Sequence, residues 1–512
     1  MADPSNYLIP LIFLAFPAIF LLHYCRKSGG RFPPGPRGWP IIGNLLHIGR
    51  LPHRTLNDMK QKHGDIIGLK LGSIKTIVIL SSKAASELFK NHDLVFADRI
   101  INQSMRIHGF NDGALALLPH GSHWRVLRKL VMVDMLSNKE LNETSFIRRK
   151  CVDDMLRWIE KETLSEVKAE SGINISHFVF LMTFNLMGNL VFSRDVLDPE
   201  SKECSEFMKA VLELLDFAVN VDIVDFIPWL KWVMNMQGVE KRRKMERGLG
   251  EAMELASRFV KQRIEEKKMK MIENRSKDFL DVLIEFEGNG KDEPQKISEH
   301  NMQCFVLEMY VAVTENVSST IEWAMTELLR NPEAMRKAKA ELSSIIAPNM
   351  KVEENDINTL PYLQSIIKET LRLHTPVPLL LPKKTREDTK FMGYDIPKNT
   401  QVFVNAWAIA RDPEVWDDPL SFKPERFMDS KVDFKGQHFE FIPFGAGRRL
   451  CVGLSLAHRV LNLILGSLLH HFDWELAANV NPESMDMREI LGITMRKLEP
   501  LLVVPKKKNI NM

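Results

Sequence analysis

The sequence predicts a mainly α-helical protein with small β-sheets. Helical periodicity runs through Leu212–Phe226, Met245–Glu266 and Ser298–Arg330, whereas strand-like alternation is confined to short pieces. The 512 residues are 45% hydrophobic and 26% charged, the make-up of a chain that folds around a large core. Length alone, at roughly 150 residues per domain, suggests about three domains. Charge is nearly balanced, 69 Lys plus Arg against 66 Asp plus Glu, so the one-sided basic surface that nucleic-acid binding needs is missing. Five cysteines (Cys25, Cys151, Cys204, Cys304, Cys451) include no CxxC pair, which argues against a disulfide framework and a structural zinc site.

Taken in order, Tyr7–Leu22 carries no charge and, continued through Tyr24 as a helix, is about 27 Å long, nearly a bilayer's width. Asp3 precedes it and Arg26, Lys27 and Arg31 follow, the reverse of a cleaved signal peptide. Residues 1–25 are therefore expected to be a transmembrane anchor with the following domain on the cytosolic side, although a buried core helix would look similar. Residues 26–44 are basic and then rich in Pro and Gly, which reads as a stiff hinge before the body at 45–512. Ile66–Leu71 and Thr76–Leu80 read as strands turning at Gly72-Ser73, and a later strand-like cluster covers Phe391–Ile396 and Gln401–Asn405. The charged stretch Lys261–Lys277 reads as a solvated helix face and loop.

Ser298–Arg330 would be a helix about 50 Å long, closed by Asn331-Pro332. Its middle, Met309–Thr320, clusters β-branched and hydroxyl residues around Glu315, so polar groups there need either partners or a chemical role. Back-bonding by Thr314, Ser318 and Thr320 is the plain alternative. Glu369 and Arg372 share one face of a helix running from Pro361 to Thr375-Pro376, a spacing that alone describes any helical ion pair.

Phe441–Gly453 (FIPFGAGRRLCVG) is more specific. Glycines permit close backbone approach around Cys451, and Arg448, Arg449 and the start of a following helix favour a thiolate. Without further cysteines or spaced histidines nearby, a metal there must bring its other ligands, as heme does. Phe444, Gly447, Arg449, Cys451 and Gly453 match the FxxGxRxCxG signature, and the chain resembles the heme-thiolate monooxygenases, the cytochromes P450. Glu369/Arg372, Pro424-Glu-Arg-Phe427 and Trp124/Arg128 in WxxxR spacing extend the likeness along the chain. PPGPRGWPIIGN, STIEWAMTELLRNP and PKNTQVFVNAWAIARDP are similar to the plant endomembrane type near the geraniol hydroxylases.

The resemblance implies one large helical domain at 45–512 around a buried heme b, against the three-domain length estimate. Cys451 would be the axial thiolate and metal ligand. Trp124, Arg128 and Arg449 would hold the heme propionates, with Lys383 where the family usually has His or Arg, and Phe444, Gly447 and Gly453 would shape the heme loop. Glu369, Arg372 and Arg426 would form a buried structural triad. Electrons would come from NADPH through a cytochrome P450 reductase docked near Arg125, Lys129 and Arg448. The localisation implied is the endoplasmic reticulum membrane, single-pass, with five Asn-x-Ser/Thr sequons (Asn102, Asn142, Asn174, Asn274, Asn316) left unmodified in the cytosol.

The (A/G)Gx(D/E)T motif of the long helix aligns with Ala312-Val313-Thr314-Glu315-Asn316, and two positions depart. Val313 stands for the Gly that leaves room for dioxygen, and Asn316 for the Thr that organises protons. Glu315 and Asn316 are the expected catalytic residues, Asn being able to donate and accept in a water relay. Substrate contacts are expected from Ile101–Leu118, Ala312, Val313, Glu315, Val377–Leu380 and Gly492–Thr494, with Ile493 at the tip of the last. The activity implied is hydroxylation of a small lipophilic plant terpenoid or alkaloid. Oxidative coupling, cyclisation or rearrangement without oxygen insertion is the alternative that Val313 and Asn316 raise, and a membrane-anchored heme protein without turnover is a third.

Overall fold

The computed structural model describes residues 31–163, 171–197, 211, 223–228, 230, 237–269, 277–477 and 480–507. The expected anchor, Tyr7–Leu22, and Asn274 lie outside these residues, as does most of Leu212–Phe226, of which Ile223–Phe226 is helical.

The long helix runs Glu299–Arg330, one residue shorter than expected because Ser298 is its N-cap, its side chain accepting from the Asn301 N–H at 3.1 Å. Against it pack the helices Ile175–Phe192, Gln237–Lys268, Pro361–Leu373 and Leu454–His471. One contiguous core draws buried residues from Ile107 to Val503, so these helices belong to one packed body. Ile175–Phe192 is predominantly apolar around its circumference, 14 of its residues being buried. Among the described residues it is the one helix long and apolar enough to cross a membrane, and it is mostly buried inside the protein, as befits a core helix. Lys261–Lys277 departs from a solvated face at Arg263, which is buried and donates to Asp278 at 2.7 Å.

Twelve short strands are described: β1 (Ile66–Leu71), β2 (Ile74–Ile79), β3 (Asp98–Arg99), β4 (Ile173–Asn174), β5 (Lys383–Lys384), β6 (Thr389–Phe391), β7 (Tyr394–Ile396), β8 (Gln401–Val404), β9 (Phe472–Leu476), β10 (Glu489–Leu491), β11 (Met495–Lys497) and β12 (Leu502–Lys507). They form a five-stranded sheet ordered β1-β2-β8-β5-β3, a three-stranded sheet β4-β12-β9, and the hairpins β6-β7 and β10-β11. The expected strand over Phe391–Ile396 is a hairpin, because Met392 and Gly393 both take positive φ (47° and 83°) and turn the chain there.

The segment expected to be a hinge is docked on the body over its described part. The Gly68 N–H donates to Pro34 O at 2.8 Å, and Asn44 bonds Lys70 in both directions, N to O at 2.6 Å and Oδ1 from N at 2.8 Å. Glycine makes this approach possible: a Cβ on Gly35 would sit 1.8 Å from Gly68 O.

Candidate functional site

The loop around Cys451 is built by its glycines. Gly445 and Gly447 have φ of 72° and 68°, and a Cβ on Gly447 would lie 2.7 Å from the Asp93 carboxylate. Asp93 fixes the turn by accepting from the backbone N and Nε of Arg448, both at 2.9 Å. The Cys451 N–H closes the loop onto Phe444 O at 3.1 Å, and Phe444 packs on Phe434 and the main core. Gly453 caps the Leu454–His471 helix, whose positive end faces the loop. Cys451 is exposed, yet burial pushes its thiol pKa up, so the sulfur lies in a recess of the body. The Gly453 backbone N–H and Arg128 pull the other way. The charge beside the sulfur therefore comes from Arg128, which also donates to Leu450 O at 2.9 Å, and not from its sequence neighbours. Arg448 is turned onto Asp93, and Arg449 donates to Ala97 O and Leu118 O at 2.9 and 2.7 Å.

Arg449 leads to a second feature, a buried cluster of cations. Its guanidinium lies 4.4 Å from the centre of the buried Trp124 ring, with Arg128 at 5.5 Å from the same ring. In the β3–β5 ladder Arg99 stands directly opposite Lys383, a like-charge pairing that costs stability unless an anion answers it. Lys383 is 3% exposed, and its Nζ has no hydrogen-bond partner, nor has Nη1 of Arg449. Burial, then Arg99, pushes the Lys383 pKa down to about 7; Asp93 opposes this, and Arg449 and Arg448 add to it. Arg99, lowered to about 9 by burial first and Arg449 next, spends two donors on Ala116 O and Leu381 O at 3.0 and 2.8 Å. Orphaned cationic donors beside a recessed thiol fit a ligand that brings both carboxylates and a metal, as heme does. Arg128 and Arg449 meet at the Trp124 ring, Arg128 reaches the Cys451 thiol, and Arg449 links this group to Lys383, whose Nζ lies 5.1 Å from the centre of the Phe89 ring. Arg99 joins them although nothing in its local sequence marks it.

Glu308, on the long helix, was also not singled out from sequence. It is 8% exposed and accepts from the Ala116 N–H at 2.5 Å and from the Leu115 N–H, pinning the loop Ile101–Leu118 to the helix. Burial raises its pKa from the ordinary 4.5 to about 7, against the pull of those two N–H groups, Arg449 and Arg99. A raised carboxyl pKa means that folding favours the protonated form, so stability falls as pH rises from about 4.5 and the full cost is in place above about 7. Between pH 5 and 8 the wild type should lose roughly 2–3 kcal/mol relative to Glu308→Gln. Denaturant unfolding of both proteins at the two pH values checks this, and a pH-independent difference between them would contradict it.

Further along the helix, Ala312 is exposed, Val313, Glu315 and Asn316 are half-buried and Thr314 is buried. The hydroxyls back-bond: Thr314 to Tyr310 O at 2.7 Å, Ser318 to Thr314 O at 2.8 Å and Thr320 to Asn316 O at 2.7 Å. Asn316 Nδ2 donates to Ala312 O at 2.6 Å, and its Oδ1 accepts from Thr494 Oγ1 at 2.8 Å. Glu315 lies 3.7 Å from Arg496. Of the apolar candidates, Ile493 is half-buried against the main core, and Val377 is half-buried next to Pro376, whose carbonyl accepts from the Met495 N–H at 2.7 Å.

Glu369 and Arg372 have no exposure at all. Arg372 forks onto the carboxylate (Nε to Oε2 at 2.7 Å, Nη2 to Oε1 at 2.8 Å), and Arg426 Nε joins at 2.9 Å. The carboxylate oxygens are spent on these protein donors and on the Lys423 N–H, which describes a fastener rather than a reacting group.

A glycine-built cysteine loop of this kind on this helical body defines a class: residues 33–504 match the family model for cytochrome P450, and the chain belongs to that family. It is accordingly an oxidoreductase of the monooxygenase type, which uses a heme with cysteine thiolate, electrons from a reductase partner and a lipophilic substrate. Among its relatives, cytochrome P450 76A2 of Solanum melongena is 51% identical over 97% of both chains. Iridoid oxidase of Catharanthus roseus is 48% identical over 99% of this chain and 98% of its own, and geraniol 8-hydroxylase of Swertia mussotii 40% over 94% and 95%. The likeness to plant geraniol hydroxylases read from the sequence stands. A zebrafish cytochrome P450 structure with progesterone shares the fold at a TM-score of 0.75, with 23% identity, covering 89% of this chain and 99% of that one.

Proposed function

We propose that this protein is an endoplasmic-reticulum monooxygenase, anchored by residues 1–25, that hydroxylates a small terpenoid with dioxygen and with NADPH electrons passed through a reductase. The observation that carries the reading is the recessed Cys451 thiol, met by Arg128 and the Gly453 N–H, beside buried cations that want carboxylates. Arg99, Trp124, Arg128, Lys383 and Arg449 would hold the heme propionates, and bound heme supplies the oxygen-activating chemistry. The chain's own residues supply the rest. Ala312, Val313, Val377 and Ile493 offer apolar contact to a lipophilic substrate, and Val313 narrows the space beside the helix. Glu315 is the carboxylate on that stretch of helix that would hold a proton-carrying water. The terpenoid class is supported by relatives named for iridoid and geraniol oxidation and by a drimenol monooxygenase of Persicaria hydropiper, 36% identical over 98% of this chain.

A second reading, oxidation without oxygen insertion, rests on the same stretch of helix, where both ends of the Asn316 amide are occupied by protein. Turnover of geraniol and related terpenoids with reductase and NADPH under labelled dioxygen separates the two. One labelled oxygen in the product is expected, and an oxidised product without label would replace the first reading with the second.

A further inference from the structure

The departure at Asn316 has a structural counterpart on another element. At positions 314, 318 and 320 a hydroxyl residue spends its one proton on the carbonyl four residues back. Asn316 makes the same back-bond with Nδ2 and keeps a second atom, Oδ1, for Thr494. A threonine there has no such second atom at that reach, so the exchange trades a purely local bond for one between the helix and the turn joining β10 and β11. Thr494 is fully buried, so its hydroxyl has no direct exposure to water that would replace the bond if it is lost. One turn on, Ser319 Oγ donates to Met495 O at 2.9 Å, while the Met495 N–H goes to Pro376 O, the residue before Val377. The turn itself is tight, Gly492 N–H to Thr494 O at 3.0 Å, and carries Ile493 at its tip.

We propose that Asn316 is a positioning residue: by holding Thr494 it fixes Ile493 relative to Ala312 and Val377 and so selects which carbon of the substrate is presented for oxidation. This deepens the proposed reading and rests on it for the substrate, but the tether is a property of the chain alone. Its test compares the full-length holoprotein with Thr494→Val, Asn316→Ala, the double variant and Thr494→Ser. In hydrogen–deuterium exchange without substrate, amides of Leu491–Arg496 should exchange about fivefold faster in Thr494→Val and in Asn316→Ala, to the same extent and no further in the double variant, and at the wild-type rate in Thr494→Ser. With geraniol as probe, the ratio of oxidised regioisomers should shift at least about threefold in both single variants and return in Thr494→Ser. A proton-handling role for Asn316 predicts instead that Asn316→Ala raises the share of electrons lost to peroxide while Thr494→Val keeps wild-type exchange and wild-type product ratio. That result overturns the proposal. Should geraniol give no product with the wild type, the substrate reading fails and the exchange measurements still decide on the tether.

Discussion

Glu369→Ala is expected to yield a protein that does not retain heme and unfolds far more easily than the wild type. The substitution leaves Arg372 charged at zero exposure without its bidentate partner. Removing one member of a buried ion pair costs about 3–5 kcal/mol, a large part of the 5–15 kcal/mol that typically holds a domain together. The damage has a direction. Arg372 also donates to Ala410 O, Pro419 O and Ser421 O, and Arg426 to Asp417 O, Asp418 O and Ser421 O, so the two arginines clasp the chain just before the thiolate loop. The carboxylate in turn takes the Lys423 N–H at 2.9 Å. Arg372→Lys should fail for a related reason, since an ammonium cannot match two carboxylate oxygens and three carbonyls with a planar fork. Heme content after purification and the denaturant midpoint check both variants; a Glu369→Ala protein with full heme and an unshifted midpoint would refute the fastening role.

The contrast between this triad and the cation cluster shows which parts of the site a sequence can express. Glu369 and Arg372 sit three apart on one helix, so their meeting follows from helical geometry, and the cap and stop of the long helix are written at Ser298 and Asn331-Pro332. Arg99 and Lys383 meet only because β3 pairs with β5 in one register, a fact about the folded sheet that no local pattern carries. Glu308 is likewise defined by the backbone of a loop nearly two hundred residues earlier in the chain. Sequence proximity even misleads at the sulfur: Arg448 lies three residues before Cys451 yet is drawn away to Asp93, and the charge comes from Arg128 on a different helix. The Ile175–Phe192 helix gave no amphipathic signal because it is buried on nearly every side and has no broad polar face to set the period. The prolines of 31–40 read as a spacer because the docking of Gly35 on Gly68 depends on what a glycine lacks.

Cys451→Ser tests the site at its centre and should abolish turnover while leaving the protein folded. Serine keeps the size of the side chain and an atom that can accept from the Gly453 N–H, but a hydroxyl does not give up its proton near neutrality, so the anionic sulfur ligand is lost. The fold should not suffer: the Cys451 side chain is exposed and fills no part of the core, and substitutions of that kind usually stay within about 0.5 kcal/mol. The other described cysteines cannot stand in. Cys151 and Cys304 are buried, and burial pushes both thiols up to about 12, with Lys150 the only charge drawing Cys151 down and Glu308 and Asp112 raising Cys304 further. The ferrous–carbon monoxide absorption spectrum separates these cysteines directly. Cys451→Ser should lose the thiolate-type band and product formation together while the heme-free protein keeps its unfolding midpoint, whereas Cys304→Ser should keep the band. A thiolate-type spectrum surviving in Cys451→Ser would place the ligand elsewhere in the chain.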